Sequence, residues 1–285
     1  MKACLFPSLS CPYKCSYCYL QGKKTKPIID SLKSEKYHTP DEWMKGLNWL
    51  SSEFQKRNFE PIDSIDVSGG EPFCYKDFVF LLEKLLMKFP LVNITSNLAL
   101  LPDTFFTIHP SRIGLTVSMH LDENKKPYKT FLNNIMKLRL EGHNFTINFV
   151  AHPSQIHELG QVKRLAGAMG CYWHFEPYID YNSPVTKFGE MPLEETQYIG
   201  ENFTTYDKYG IGMEQKRMLP SKCRVLDQYI VIMENGDVFP CLGQMFEQKY
   251  KIANIFEMKL YMEPISPILC DIFCPCAQNY RDDYR

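Results

Sequence analysis

The chain has 285 residues, a formal net charge of −1 and 45% hydrophobic residues. That length and apolar content can bury one large core, or a large and a small one. The balanced charge gives no broad attraction to nucleic acid or anionic membrane, and no apolar run approaches the length of a membrane span. No export signal is recognisable, so the 11 cysteines indicate reduced thiols in the cytoplasm, most of them bound to metal.

Strands and helices alternate along the first two thirds of the sequence. One helix begins at Pro40 with Thr39 as its predicted N-cap. Later helices are predicted at residues 76–89, 131–140, 156–169 and 192–209. The predicted strands are residues 3–8, 64–67, 92–96, 112–119, 145–150 and 172–176. This alternation predicts parallel βαβ units, whose active-site loops follow the carboxyl ends of the strands.

Three cysteines follow the first predicted strand. Cys11, Cys15 and Cys18 lie in the run Cys-Pro-Tyr-Lys-Cys-Ser-Tyr-Cys, so three thiolates within 8 residues can converge on one inorganic centre. A [4Fe–4S] cluster normally takes four Cys thiolates, and a loop that supplies three leaves one iron open to another ligand. A structural zinc knuckle is the alternative, although zinc sites more often contain CxxC pairs.

A glycine-rich segment follows the second predicted strand. It reads Ser68-Gly69-Gly70-Glu71-Pro72. Glycines let the backbone approach a ligand closely, and a carboxylate suits an ammonium group. An ordinary strand-to-loop turn is the alternative interpretation. Because this segment and the Cys loop both follow strands, we expect both at the same face of the sheet.

The character of the sequence changes after about residue 210. Asn235-Gly236 between two apolar runs predicts a β-hairpin. Five cysteines surround or follow this hairpin: Cys223, Cys241, Cys270, Cys274 and Cys276. Two further clusters would need about eight thiolates, so these five favour one auxiliary cluster on four of them. Structural zinc is the alternative.

These features together resemble the radical S-adenosylmethionine (SAM) superfamily. The resemblance rests on CxxxCxxC with an aromatic residue before the last Cys, on Gly-Gly-Glu-Pro, on the strand–helix alternation and on the C-terminal cysteines. It implies an α/β fold, with a partial (β/α)6 TIM-like barrel at residues 1–211. It also implies a small twitch domain at residues 212–285, which is the shortened form of the SPASM extension and holds an auxiliary [4Fe–4S] cluster.

The resemblance also implies which residues hold the cofactors. The cluster on Cys11, Cys15 and Cys18 would bind the methionine part of SAM and cleave it reductively to a 5′-deoxyadenosyl radical, which abstracts a substrate hydrogen. The expected SAM-binding residues are Tyr17, Gly69, Gly70, Glu71, Pro72, Asn97 and Ser118. The surroundings of two of them depart from the family pattern. Leu98 follows Asn97, where the family usually has Gly, and His120 stands two residues after Ser118, where the family usually has Asp. Capping or loop hydrogen bonding is the alternative role for Asn97 and Ser118.

Residues on the substrate side are less well defined. His120, His152 and Glu176 lie at predicted strand ends and are candidates for catalysis, with a structural or solvated role as the alternative. Some sulfatase-maturing relatives carry an acid after the second Cys of the extension, but Leu242 follows Cys241 here. That base is therefore missing or is supplied by another part of the chain.

The leading hypothesis is a radical SAM enzyme that oxidises, rearranges or cross-links an organic substrate, with flavodoxin or ferredoxin as electron donor. The Cys loop begins 10 residues into the sequence, so we expect no leader-peptide-binding domain before it. That favours a small molecule or a short peptide segment as substrate. A tRNA-modifying enzyme is one alternative, against which the neutral charge argues. A non-enzymatic iron–sulfur or zinc protein is the other.

Overall fold

The computed structural model describes residues 1–120, 125–152, 155–177 and 221–270. The chain divides into two compact units. The first contains Met1–Cys11, Pro27–Ile94 and Arg217–Arg285, and the second contains Pro12–Lys26 and Thr95–Lys216. The predicted boundary between residues 211 and 212 and the predicted helix at 192–209 lie outside the described residues.

The first unit is built on parallel strands. These are β1 (Lys2–Ser8), β2 (Ser64–Gly69) and β3 (Leu91–Ser96), the last of which leads the chain into the second unit. The helices between them are α1 (Lys26–Ser31), α2 (Pro40–Gln55) and α3 (Phe78–Lys88). β2 pairs in parallel with both β1 and β3, so Cys4, Asp66 and Asn93 lie side by side.

Helix α2 shows how the sequence fixes these elements. The predicted N-cap Thr39 is confirmed, and it forms a capping box in which Thr39 Oγ1 accepts the Glu42 N–H and the Glu42 carboxylate accepts the Thr39 N–H. One stripe of the helix is buried, with every member at most 1% exposed: Trp43, Leu47, Leu50 and Phe54. The apolar period therefore orients the helix.

The C-terminal strands continue the sheet of the first unit. β8 (Tyr229–Ile232) pairs in parallel with β1 and antiparallel with β9 (Asp237–Phe239), which confirms the predicted hairpin. Gly236 has φ +86°, and a Cβ there would lie 2.5 Å from the Phe256 ring, so the turn requires glycine. The sheet goes on to β10 (Ala253–Asn254) and β11 (Lys259–Leu260). A separate antiparallel pair consists of β7 (Ser221–Cys223) and β12 (Ile268–Cys270).

The second unit has three further parallel strands. They are β4 (Gly114–Met119), β5 (Thr146–Ala151) and β6 (Tyr172–Pro177), with α4 (Lys125–Leu140) and α5 (Leu159–Met169) between them. Gly170 closes α5 with φ +60°. The parallel strands of the two units and the C-terminal hairpin confirm the predicted α/β class, that of a partial barrel followed by antiparallel strands. Nowhere in the described ranges is a helix both long and apolar enough to cross a membrane.

Several element boundaries differ from the sequence-based expectation, and two of them have a clear physical reason. The fourth strand begins at Gly114 rather than at residue 112, because Pro110–Arg112 form a 3-10 turn with Pro110 in its first position. Helix α4 begins at Lys125 rather than at residue 131. Its first residues are polar and contain a proline, which the first helical turn tolerates, so the apolar period starts later than the helix.

Candidate cofactor site

The Gly-Gly-Glu segment forms backbone hydrogen bonds with the residues that lead into the Cys loop. The Gly70 N–H donates to the Ser8 carbonyl at 3.0 Å, and the Glu71 N–H donates to the Ser10 carbonyl at 2.8 Å. Both segments leave the carboxyl ends of neighbouring parallel strands, β2 and β1. The two predicted cofactor segments of this unit therefore begin side by side.

Close backbone contact explains both glycines. Gly69 has φ +123°, and a Cβ on it would lie 2.5 Å from the Ser8 carbonyl oxygen. A Cβ on Gly70 would lie only 2.2 Å from the Ser10 carbonyl oxygen. The chain's own backbone is therefore one group that approaches these glycines closely, and the predicted approach of a ligand stays a prediction. Glu71 is fully buried, and its carboxylate accepts the Phe73 N–H at 3.3 Å, so it caps the 3-10 turn that begins at Pro72.

Glu234 is a second anchor of the segment before Cys11, and the sequence analysis did not single it out. Its carboxylate accepts the Leu9 N–H at 2.6 Å. Burial raises the pKa of Glu234, although backbone hydrogen bonds from Leu9 and Ser34 and the charge of Lys33 act in the opposite direction. The turn of the C-terminal hairpin thus holds the residues that precede the first cysteine. The position of Glu234 directly before Asn235-Gly236 was the sequence signal for this contact. Acidic residues are common in turns, where they usually lie on the surface, so the signal is weak.

An aromatic cluster surrounds the second cysteine. His120 Nδ1 lies 2.6 Å from the Tyr17 hydroxyl and 3.6 Å from Cys15 Sγ. The His120 ring is stacked on Tyr17 and meets Tyr13 edge-on, with centroids 5.9 and 5.8 Å apart. The His152 ring lies 5.5 Å from the Tyr17 ring. Desolvation lowers the pKa of His120 to about 4, so its imidazole is neutral at pH 7.

Asn97 and its neighbours form a tight turn after β3. Asn97 is 5% exposed, and its Oδ1 accepts the Ala99 N–H at 2.9 Å. Leu98 has φ +59°, which is the conformation that a glycine at this position of related enzymes would favour. The loop hydrogen bond that was the alternative role for Asn97 is therefore present, whereas contact of Asn97 with SAM stays a prediction.

A polar row crosses the strands of the second unit. Ser118 on β4 pairs with Asn148 on β5, which pairs with His174 on β6. Asn148 Oδ1 is buried and has no hydrogen-bond partner among the described residues. A buried carbonyl oxygen of this kind calls for a ligand or a water. Glu176 follows in β6 opposite Val150, and its side chain lies outside the described residues.

Cys74, close to the Gly-Gly-Glu segment, has the properties of a protonated thiol. Burial, the Glu71 carboxylate and Cys11 raise the pKa of Cys74 to about 11. A thiol with this pKa is protonated at neutral pH unless a metal ion binds it and displaces the proton.

Two of the C-terminal cysteines, Cys241 and Cys270, lie beside Gln244. Gln244 is the third residue of the short helix α6 (Leu242–Phe246), which follows Cys241, and its side chain is fully buried. Its backbone N–H donates to Cys241 Sγ at 3.4 Å, and its Nε2 donates to Cys270 Sγ at 3.7 Å. Cys223 lies opposite Ile268, so it shares the buried face of the β7–β12 pair with Cys270. Cys274 and Cys276 lie outside the described residues.

The residue types present suit the groups that the sequence predicts, whereas their arrangement around a shared centre stays a prediction. Thiolates are the ligands that iron–sulfur clusters use, and nearby N–H groups commonly donate hydrogen bonds to such sulfurs. Gln244 Oε1 has no hydrogen-bond partner within the described ranges, which leaves an acceptor beside the C-terminal thiols. Across the part of the chain that the structure describes, no three His, Cys, Asp or Glu side chains are arranged to hold a single metal ion.

Comparison with known proteins identifies the fold. No family model and no curated protein matches the sequence. The structure of Streptococcus suis SuiB bound to S-adenosylmethionine matches with a TM-score of 0.63 and 17% identity, over 90% of this chain and 63% of SuiB. The structure of anSMEcpe with bound AdoMet matches with a TM-score of 0.62 and 15% identity, over 90% of this chain and 79% of anSMEcpe.

The chain has the fold that SuiB and anSMEcpe share. SuiB has also been solved with its precursor peptide SuiA, and that structure matches with a TM-score of 0.61 at 17% identity. The anSMEcpe structure with AdoMet and the Cp18Cys peptide matches with a TM-score of 0.59 at 14% identity. The chain spans 63% of the length of SuiB.

Proposed function

We propose that this chain is a radical SAM enzyme. Cys11, Cys15 and Cys18 hold a [4Fe–4S] cluster, and the open iron binds SAM. The observation that carries this proposal is the pair of backbone hydrogen bonds from Gly70 and Glu71 to the residues just before Cys11. They support an arrangement in which the SAM-binding segment begins beside the cluster loop.

The chain's own residues bind and orient SAM. When bound, the cluster supplies the electron that cleaves SAM, and the resulting radical takes a hydrogen atom from the substrate. The segment of Gly69, Gly70, Glu71 and Pro72 lies against the amino group of SAM, where the buried Glu71 carboxylate offers a negative charge. Tyr17 contacts the adenine through its backbone. Asn97 and Ser118 contact the ribose from the ends of β3 and β4.

A second [4Fe–4S] cluster belongs to the C-terminal region, which we propose is a twitch domain at residues 212–285. Its ligands are Cys223, Cys241 and Cys270, completed by Cys274 or Cys276. The contacts of Gln244 with two of these sulfurs support a shared centre, because a buried amide between two thiols would serve as their hydrogen-bond donor. A cluster held by these cysteines would supply an electron acceptor for the substrate radical or an anchor for the substrate.

The substrate we propose is a short peptide segment, which the reaction oxidises or cross-links. Peptide complexes of both SuiB and anSMEcpe support this choice over a small molecule. Asn148 supports a polar ligand, since its buried Oδ1 has no partner among the described side chains and backbone groups. A flavodoxin or ferredoxin supplies the electrons.

The test is reductive SAM cleavage. The anaerobically reconstituted protein, reduced with dithionite, should convert SAM to 5′-deoxyadenosine, and replacing Cys11, Cys15 and Cys18 with Ala should abolish the product. Cys171→Ala is the matched control, because Cys171 is a half-buried thiol outside both predicted ligand sets. Iron should be about eight per chain in the wild type and about four in the triple variant. Absence of 5′-deoxyadenosine in the wild type would refute the proposal, while about four iron with one zinc would refute the auxiliary cluster alone.

A further inference from the structure

We infer that His120 is a positioning residue that fixes the Cys loop and donates a hydrogen bond to the Cys15 thiolate. This inference rests on the proposed function, because it concerns the sulfur of a proposed cluster ligand. The sequence analysis treated His120 as a candidate for catalysis. The contacts of His120 with the loop favour the positioning role.

Two side chains of the Cys loop, Tyr17 and Cys15, contact His120 at the end of β4. His120 Nδ1 is within hydrogen-bond distance of both the Tyr17 hydroxyl, at 2.6 Å, and Cys15 Sγ, at 3.6 Å. His120 directly follows β4, whose last residue, Met119, is 1% exposed and pairs with Phe149 on β5. A residue at the end of a buried, paired strand has a fixed backbone. The imidazole therefore ties the loop to the sheet of the same unit.

The loop side of this contact is also well packed. Cys15 is 4% exposed and Tyr17 is 7% exposed. Tyr13 also packs edge-on against the imidazole, with ring centroids 5.8 Å apart. The His120 ring therefore contacts two tyrosines of the loop, and its Nδ1 cannot turn towards a substrate without leaving both Tyr17 and Cys15.

Hydrogen-bond chemistry then assigns the donor. A cysteine that ligates iron is a thiolate, which accepts hydrogen bonds and cannot donate one. The Tyr17 hydroxyl can do either. The only arrangement in which Cys15 and His120 attract each other places a hydrogen on Nδ1. Hydrogen bonds to ligand sulfurs stabilise the more negative, reduced state of a cluster and so raise its reduction potential.

An isosteric pair of variants separates the hydrogen bond from packing. In His120→Asn the side-chain amide nitrogen occupies the place of Nδ1, whereas His120→Leu has nearly the same shape and no donor. Each full-length variant is reconstituted, and the cluster signal that responds to SAM is followed by an electron paramagnetic resonance redox titration. We expect the cluster of His120→Leu to have a reduction potential about 59 mV lower than that of the wild type, which is a tenfold shift towards the oxidised form for one electron. We expect His120→Asn to stay within about threefold of the wild type.

Equal potentials in the Leu variant and the wild type would overturn the inference. If the Leu variant fails to retain the cluster, retention by the Asn variant supports the role of the donor, and loss in both overturns it. Tyr17→Phe gives an independent sign test, because removing the competing hydroxyl should leave the potential unchanged or raise it, and a lower potential would overturn the inference. A wild-type protein with no SAM-responsive cluster signal would instead refute the proposed function.

Discussion

Replacing Gly70 with Ala probes the contact that holds the two cofactor segments together. The new Cβ would lie 2.2 Å from the Ser10 carbonyl oxygen, whereas real Cβ atoms essentially never come closer than 3.0 Å to another heavy atom. The backbone must therefore separate by at least 0.8 Å, the difference between these two distances. The Ser10 carbonyl also accepts the Glu71 N–H at 2.8 Å, and the same displacement would stretch that bond beyond hydrogen-bond range.

The cost follows from these two effects. Overpacking of a close contact costs about 1–3 kcal/mol, and the lost hydrogen bond costs about 1 kcal/mol more. The free energy of unfolding should fall by about 2–4 kcal/mol, which corresponds to a Tm lower by about 3–7 °C. Because Ser10 is bonded to Cys11, the reconstituted variant should also bind less iron than the wild type.

Thermal unfolding by circular dichroism and an iron assay measure both effects. Gly167→Ala is the matched control, since a Cβ there meets nothing within 4 Å and the residue lies in α5. That variant should gain about 0.5–1 kcal/mol and keep its iron. A Gly70→Ala protein with the Tm and iron content of the wild type would show that the close contact does not exist in solution.

Three further predictions concern single side chains. Burial raises the pKa of Glu234 above its ordinary value of 4.5. The native state therefore holds this proton more tightly than the unfolded state, and the free energy of unfolding falls as the pH rises from 4.5 through the raised pKa. Glu234→Gln should remove this part of the pH dependence of chemical denaturation. A slope unchanged in the variant would contradict the burial of this carboxylate. Thr39→Ala should lower the free energy of unfolding by about 1 kcal/mol in urea titrations, and a change near zero would mean that the capping box does not stabilise α2. Cys74→Ser should bind as much iron as the wild type, because Cys74 lies outside both predicted ligand sets, whereas a loss of iron would make Cys74 a ligand.

The strand–helix order of this chain could be predicted because each element has a local signal. The Thr39 cap, the buried stripe of α2, Gly170 after α5 and Gly236 in the hairpin act over a few residues, and each appears in the structure. The pairing of β8 with β1 was not predicted, since their residues are more than 200 positions apart and no local pattern joins them. Short strands such as β10 and β11 also gave no usable period.

The candidate site was predictable in its residue types but not in its contacts. Cysteine spacing and Gly-Gly-Glu-Pro predict the chemistry, and that prediction is still to be tested. The second role of Gly70, as the point where β2 meets the Cys loop, depends on tertiary packing and left no sign in the sequence. The same holds for His120, whose contact with Cys15 joins residues 105 positions apart. Glu234 and Gln244 were missed because a charged or amide side chain near a turn is usually exposed.

The central claim is that the three N-terminal thiolates leave one iron of their cluster open to SAM, and electron paramagnetic resonance tests it most directly. The reduced, reconstituted protein should show a cluster spectrum that changes when SAM is added. The same change should persist when Cys223 and Cys241 are replaced by Ala, provided that the variant is folded and keeps about four iron per chain. The change should disappear when Cys11, Cys15 and Cys18 are replaced by Ala. A spectrum that does not respond to SAM in the wild type, or a response that survives loss of the three N-terminal cysteines, would contradict the claim.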